Sequence, residues 1–429
     1  MRQPAMHPPL GSPPEDLPQF VGLQSAALQL RAEGAGFAAL ISAVGRVDLG
    51  RRSLLASGLQ PLRVMAAPER RREYLQALRA AAADAFHAGA RGILVLVSHE
   101  AARFFDDFET YPPWADLPPV QLWAAHEVKE FPPGPVCVPP DAAGVAPALP
   151  ILSSWDPPRH SAALREIQAA IAAGQIYQAC LTYPIVTQAP QDTGATFCRW
   201  LARQPVDHAA WIHLPGIQAG GAGKCSEFEL LCCSPERFFS LKDHEVQVRP
   251  MKGTRAIEAT MTPAEARAVA EALQAAEKDR AENVMIVDLM RNDLGRVCVP
   301  GSVEVRALCA VETYASVAQM TSTIAGQLRD DADVWDVLAA CFPPGSMTGA
   351  PKIEACKWIR RLESGPRGLY GGAVGWLEPH GDAEFNVVIR SLQMFQGAAR
   401  WDVGGGIVAD STAEAEWLET RAKAALLAE

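Results

Sequence analysis

Between residues 175 and 249 the chain passes through five apolar stretches, at about 175–188 ("QIYQACLTYPIVTQ"), 208–214, 228–233, 236–241 and 245–249. The last three are joined by turns of a few residues. A parallel pairing needs a crossover of a dozen or more residues, so these strands can only pair antiparallel. Around them the pattern changes period. A helix is expected from about 159 to 174, ended by Gly174, and a long one from 263 to 292, opened by Thr262 as cap and Pro263 as first helical residue. Another is expected at 350–363, then strands at 370–376, 383–392 and 401–408, and a last helix at 412–427.

The first third of the chain alternates apolar segments ("GFAALISAV", "RGILVLVS") with an alanine-rich helical stretch at 69–88, which predicts mixed α and β structure. Residues 126–154 are rich in Pro, Gly and Ala and read as an irregular connection. The expected organisation is therefore a mobile tail over 1–18, an N-terminal portion over 19–150 and a main domain over 151–429.

Charge narrows the partners. A net charge of −10 disfavours non-specific nucleic-acid binding and attraction to anionic lipid, leaving a small substrate. No apolar run reaches the roughly 20 residues of a membrane span, and the proline-rich N-terminus does not read as a signal peptide. Ten cysteines without a CxxC pair or zinc spacing read as reduced thiols, which predicts a cytoplasmic protein.

Three groups of residues carry chemistry. In the long helix, Asp279 and Glu282 stand on one face; in the last helix, Glu416 and Glu419 do the same, with Lys423 one turn on and Ser411 and Glu414 read as a capping box. The two pairs are either solvated faces with salt bridges or an oxygen cage for a hard cation such as Mg2+. Gly404, Gly405 and Gly406 in "WDVGGGIVADS" leave backbone amides open to an anion or form a tight turn; "FPPGSMTGAPK" offers a similar option, with Thr348 read as a helix cap. Arg390 in "FNVVIRS" is either an anion ligand or a structural ion pair. Finally, Glu236 in "CSPERFF" precedes Lys252 in "VRPMKGTR" by one hairpin, so a carboxylic acid and an amine can reach one pocket. Arg249 and Arg255 supply positive charge that would favour a nucleophilic lysine.

The motifs "GQIYQACLT", "CSPERFF", "RPMKGTR", "KDRAENVMIVDLMRNDLGRVC", "FPPGSMTGAPK", "YGGAVGW", "FNVVIRS" and "VGGGIVADSTAEAEWLET" follow one another from about 174 to 425. In content and order they resemble the chorismate-utilising enzymes. That resemblance implies an α+β fold, one large unit with two mostly antiparallel sheets in a sandwich surrounded by helices. Isochorismate- and salicylate-forming members carry a water-activating lysine where this chain has Gln178. Anthranilate-forming members usually have Ala where this chain has Lys252, and P-[IM]-K-G-T is the form of the aminodeoxychorismate-forming branch.

The resemblance therefore implies Lys252 as a nucleophile toward C2 of chorismate and Glu236 as the acid that protonates the departing C4 hydroxyl. It implies Glu282 and Glu419 as Mg2+ ligands, with Glu416 and Asp279 completing the cluster. Gly404, Gly405 and Thr348 would orient the ring carboxylate, with Gly406 and Gln178 in the same substrate-binding set; Arg390 and Tyr370 would hold the enolpyruvyl carboxylate, and Lys423 would sit beside the metal carboxylates. Nothing in the chain resembles a glutaminase triad, so ammonia is expected from a separate glutamine amidotransferase subunit. Three departures from the family pattern are Cys180 in place of an asparagine, Gln319 in place of a histidine, and Ile41 where tryptophan-regulated members carry an acid.

Overall fold

The structure is a computed structural model that describes residues 17–42, 53–62, 71–132, 148–218, 225–258, 260–313 and 317–428. The expected tail falls almost wholly outside these residues, apart from Leu17 and Pro18, which open the helix Leu17–Ala32.

Two ten-stranded sheets form the body, and every pairing between their strands is antiparallel. The first runs Gly349–Ala350, Gln178–Thr187, Ala398–Ile407, Ser391–Phe395, Cys225–Ser234, His208–Gln218, Phe37–Ile41, Ser53–Ser57, Glu127–Phe131, with Ile151–Ser153 paired to Gln178–Thr187. The second runs Met251–Ala256, Val317–Gln327, Glu245–Val248, Arg237–Lys242, Ala383–Val387, Ala373–Leu377, Gly92–Val97, Val120–Ala125, Gln60–Pro61, with Glu304–Thr313 on Val317–Gln327. Both orders cross residue 150: Phe37–Ile41 pairs with His208–Gln218, and Gly92–Val97 with Ala373–Leu377. The N-terminal portion is thus woven into the same two sheets as the rest.

Period-two alternation explains the sandwich. Leu94 and Leu96 join Ala38, Ala210, Ile212 and Trp376 in the core between the sheets. Ile93, Val95 and Val97 point the other way, onto helices carrying Leu75, Leu78, Ile286 and Met290. On the far side of the first sheet, Phe37, Ala39 and Ile41 meet helices bearing Leu23, Leu164, Phe197 and Trp200. Phe37–Ile41 and Gly92–Val97 are apolar on both faces because each of their faces is covered.

Several expected elements differ. The strand expected over 383–392 is two, Ala383–Val387 in the second sheet and Ser391–Phe395 in the first, and the irregular connection expected over 126–154 contains the strand Glu127–Phe131, paired with Ser53–Ser57. The helix expected over 263–292 is two helices, Pro263–Ala275 and Glu277–Gly295, broken at Ala276, whose ψ of 107° is extended. No Gly or Pro marks the break. Leu273 is buried beside Cys309, Ala318 and Met320, anchoring the first helix, and the second leaves in its own direction. The last helix, Ala413–Lys423, is capped by Thr412, which accepts from the Ala415 amide, and not by Ser411. The helix Lys352–Leu362 starts after Pro351, so Thr348 is not its cap.

Candidate active site

Lys252 lies on Met251–Ala256, the terminal strand of the second sheet. Its register on Val317–Gln327 slips between Met251 and Thr254, and Gly253 adopts a φ of +82°. Such a bulge re-aims a side chain, here out of the ladder and into the cleft. A Cβ on Gly253 would stand 2.8 Å from Asp279 Oδ1, so only glycine fits. The Lys252 ammonium is mostly buried, 3.9 Å from Glu282 Oε2. Arg249 is paired with Glu312, and Arg255 donates to Asp279 Oδ2 at 2.7 Å. Both arginines are held by carboxylates, so the charge expected to act on Lys252 is locally balanced.

Gly404, Gly405 and Gly406 are not a loop. They lie within the strand Ala398–Ile407, opposite Thr182, Leu181 and Cys180. The Cys180 amide bonds Thr348 O and the Thr182 amide bonds Glu363 Oε1, so neither is directed at its glycine partner. The glycines make a floor without side chains. A Cβ on Gly406 would stand 2.3 Å from Gln178 Nε2 and 3.1 Å from Lys252 Nζ, and one on Gly405 would stand 3.0 Å from Glu416 Oε2. These gaps show that Lys252, Gln178 and the Glu416 helix converge over one strand. Gln178 is buried, and its Oε1, a hydrogen-bond acceptor, has no partner among the described residues.

The carboxylates of the last helix lie over Gly405, which on an extended strand faces away from Gly406, and they remain within electrostatic reach of Lys252 and Glu282. Glu416 accepts from Ser411 Oγ at 2.6 Å, and burial raises its pKa. Burial also raises that of Glu282, against the pull of Lys252 and Lys278. Glu419 is exposed, and although what desolvation it has would raise its pKa, Lys423 at 2.6 Å, with Lys252 and Lys278, brings it below the usual carboxylate value. Lys423 also donates to Gly404 O at 2.8 Å. Asp279 is the outlier, spent on Arg255. Among the described residues only His213, Glu227 and Glu229 draw ligand atoms within 4.8 Å of one another, and Arg31 already bonds both of those glutamates. The candidate carboxylates are spaced more widely. Their hard oxygen donors and the side-chain-free cradle at Gly405 nevertheless fit a cation that keeps waters in its shell.

Glu236 is 4 % exposed, and burial pushes its pKa up to about 7, against the Ser346 hydroxyl and the cations Lys252, Arg390 and Lys423. Its Oε1 has no partner among the described residues. Arg390 takes a φ of +49°, and its carbonyl accepts from the Cys233 amide; its guanidinium faces Glu236 and Tyr370. Tyr370 is buried, which raises its phenol well above the ordinary value. Thr348 is placed differently from expectation. Its hydroxyl donates to Pro344 O and Gly345 O, holding the turn. Ser346, two residues earlier, is the buried hydroxyl beside Glu236. Sequence reasoning missed it because in "PPGSMTGAP" both hydroxyls suit a turn, and only the fold separates them. A separate cavity of about 580 Å³, lined by residues including Ser42, Asp207, His208 and Trp376, holds none of the expected site residues.

This fold and this cleft define a class. The profile of chorismate binding enzymes matches residues 68–429, and the chain belongs to that family of enzymes. Among its relatives, the aminodeoxychorismate synthase of Streptomyces pristinaespiralis is 40 % identical over 279 residues, 65 % of this chain and 37 % of that protein. Anthranilate synthase component 1 of Mycolicibacterium smegmatis is 40 % identical over 220 residues, 51 % of this chain and 41 % of that protein. In both cases the match spans less than half of the relative's length. In three dimensions the chain is similar to the menaquinone-specific isochorismate synthase of Escherichia coli, with a TM-score of 0.67 and 18 % identity over 92 % of this chain and 89 % of that one. No helix among the described residues is long and apolar enough to cross a membrane.

Proposed function

We propose that this enzyme aminates chorismate at C4, giving 4-amino-4-deoxychorismate, the precursor of 4-aminobenzoate and folate. The observation that carries the reading is Lys252: a mostly buried amine aimed over Gly406, beside Gln178 and in one cleft with a carboxyl whose pKa is about 7. Glu236 holds a proton near neutral pH and gives it to the C4 hydroxyl, which leaves as water. The Lys252 amine bonds to C2 as the ring double bonds shift toward C4. Ammonia then bonds to C4, the double bonds shift back, and the bond from Lys252 to C2 breaks. Arg390 and Tyr370 face the end of the cleft suited to the enolpyruvyl carboxylate.

Glu282, Glu416 and Glu419 would hold Mg2+, which when bound supplies positive charge to neutralise the ring carboxylate. Lys423 fixes Glu419 and the Gly404 carbonyl, and so keeps that helix against the glycine strand. Ammonia comes from a glutamine amidotransferase partner, in the reducing cytoplasm that the buried free cysteines among the described residues suit. A cognate glutaminase should make turnover glutamine-dependent. No gain on adding it would remove the partner from the reading.

The competing reading is anthranilate formation, favoured by the Mycolicibacterium relative. Incubating the protein with chorismate, Mg2+ and ammonium salt, and weighing the product by mass spectrometry, separates the two. The aminated product keeps its enolpyruvyl group, whereas anthranilate has lost pyruvate. Wild type giving aminodeoxychorismate and Lys252→Ala losing it supports the proposal. Wild type giving anthranilate or isochorismate refutes it.

A further inference from the structure

Behind the glycine floor lies a buried ion pair that touches none of the residues assigned to the reaction. Arg367 is 1 % exposed and Glu363 is 7 % exposed. They meet bidentately, Nε to Oε2 at 2.9 Å and Nη2 to Oε1 at 2.7 Å. Replacing such a pair by apolar residues is often neutral or stabilising, so stability is a poor reason for this one. What sets it apart is where its remaining hydrogen bonds end.

Arg367 Nη1 donates to Met347 O at 2.7 Å, and Nη2 donates to Cys180 O at 3.0 Å. Glu363 Oε1 accepts from the Thr182 amide at 2.9 Å and the Thr182 hydroxyl at 2.7 Å. Met347 lies between Ser346 and Thr348. Cys180 and Thr182 follow Gln178 on the strand that pairs with Gly404 and Gly406. The pair therefore bonds two separate segments, one bringing Ser346 to Glu236 and the other bringing Gln178 to Lys252. Its own place is fixed in turn: the Arg367 amide donates to Glu100 Oε1 at 2.7 Å, and Gln393 Nε2 donates to Arg367 O at 2.8 Å.

We infer that Glu363 and Arg367 are a positioning pair for this active site, setting the distance between the Ser346 turn and the Gln178 strand. Neither contacts the reacting atoms. A guanidinium is required because four N–H bonds leave one planar group, two to the carboxylate and one to each carbonyl, and an ammonium has only three donors. This rests on the reading of the cleft given above.

The test compares wild type with Arg367→Lys and Glu363→Gln, each corrected for its folded fraction by circular dichroism. Chorismate consumption is followed with Mg2+ and ammonium salt, so that an unexpected product would refute the preceding reading and leave this test intact. Turnover per folded molecule is expected to fall by roughly 100-fold, the scale of a misplacement of about 1 Å. The alkaline limb of the rate profile should also move to higher pH, because a displaced Ser346 no longer favours ionised Glu236. Should Arg367→Lys not fold, Glu363→Gln, which keeps the acceptor for Thr182, carries the same test. Wild-type turnover per folded molecule, or a fall with the alkaline limb unmoved, overturns the inference.

Discussion

Glu236→Gln should make the protein more stable at alkaline pH while destroying its activity. Burial raises the Glu236 pKa from 4.5 to about 7, against the pull of Ser346, Lys252, Arg390 and Lys423. Between those two values the folded chain binds a proton that the unfolded chain has released. Stability from this group is therefore fully present below about pH 4.5 and is lost as pH rises through about 7. At about 1.36 kcal/mol per pH unit, the whole difference is about 3 kcal/mol, most of it lost between pH 5 and 8. Glutamine does not titrate, so the variant escapes that loss, while the other titrating groups are common to both proteins and cancel. The assay is chemical denaturation of wild type and variant at pH 5 and pH 8. The gap in unfolding free energy should move in the variant's favour by about 2 to 3 kcal/mol over that range. A gap independent of pH would refute the reasoning, because it would mean that Glu236 is already ionised in the folded protein at pH 5. Activity gives the matching signature: wild-type rate falls as pH rises through about 7, and the variant is inactive throughout.

Gly406→Ala should lower kcat/KM by roughly 10- to 100-fold in a chorismate consumption assay, because the new methyl displaces Gln178 and crowds Lys252. Ser411→Ala removes the hydroxyl that holds Glu416 and should raise the Mg2+ concentration for half-maximal rate about tenfold, read by titrating the metal. Ser346→Ala and Thr348→Val should separate function from structure. The first lowers kcat with little change in unfolding free energy, since Ser346 Oγ bonds no backbone group; the second costs about 1 kcal/mol in denaturation, since the hydroxyl's bonds to Pro344 O and Gly345 O are lost while the Met347 and Thr348 amides still bond those carbonyls.

The antiparallel sheets were legible because turn length alone forbids crossovers between 228 and 249, and the sandwich followed from the resemblance. Four of the residues singled out in the sequence, Glu236, Lys252, Gln178 and Arg390, stand around one cleft. Direction was not. "GGG" reads equally as a loop or as a strand whose side chains must be absent, and only the neighbours on Gln178–Thr187 and the last helix decide. The break at Ala276 depends on where Leu273 is buried, which no local pattern records. Ser411 and Thr412 are adjacent hydroxyls, and which one caps the helix depends on Glu416 claiming the other. The charge balance at Lys252 was misread for the same reason: Arg249 and Arg255 are close in sequence, but Glu312 and Asp279, which hold them, come from elsewhere in the chain.

These misreadings share a cause that bears on how the site works. Lys252 stands on the terminal strand of one sheet, and Gly406 and Gln178 on strands near the end of the other. Lys252 and the glycine floor are therefore joined through the sandwich core and not through a common ladder. Their separation depends on cross-connections at that end: Lys352 of the helix following the Thr348 turn bonds Asp293 at 2.6 Å, on the same helix that carries Glu282, and it also bonds Cys341 O at 2.8 Å. Arg367 and Glu363 tie that same turn to the Gln178 strand. A cleft assembled from two sheets can hold opposite charges at unequal distances, with Glu419 close to Lys423 and Glu282 looser against Lys252. The tight pair fixes one helix, and the loose one leaves an amine available for chemistry.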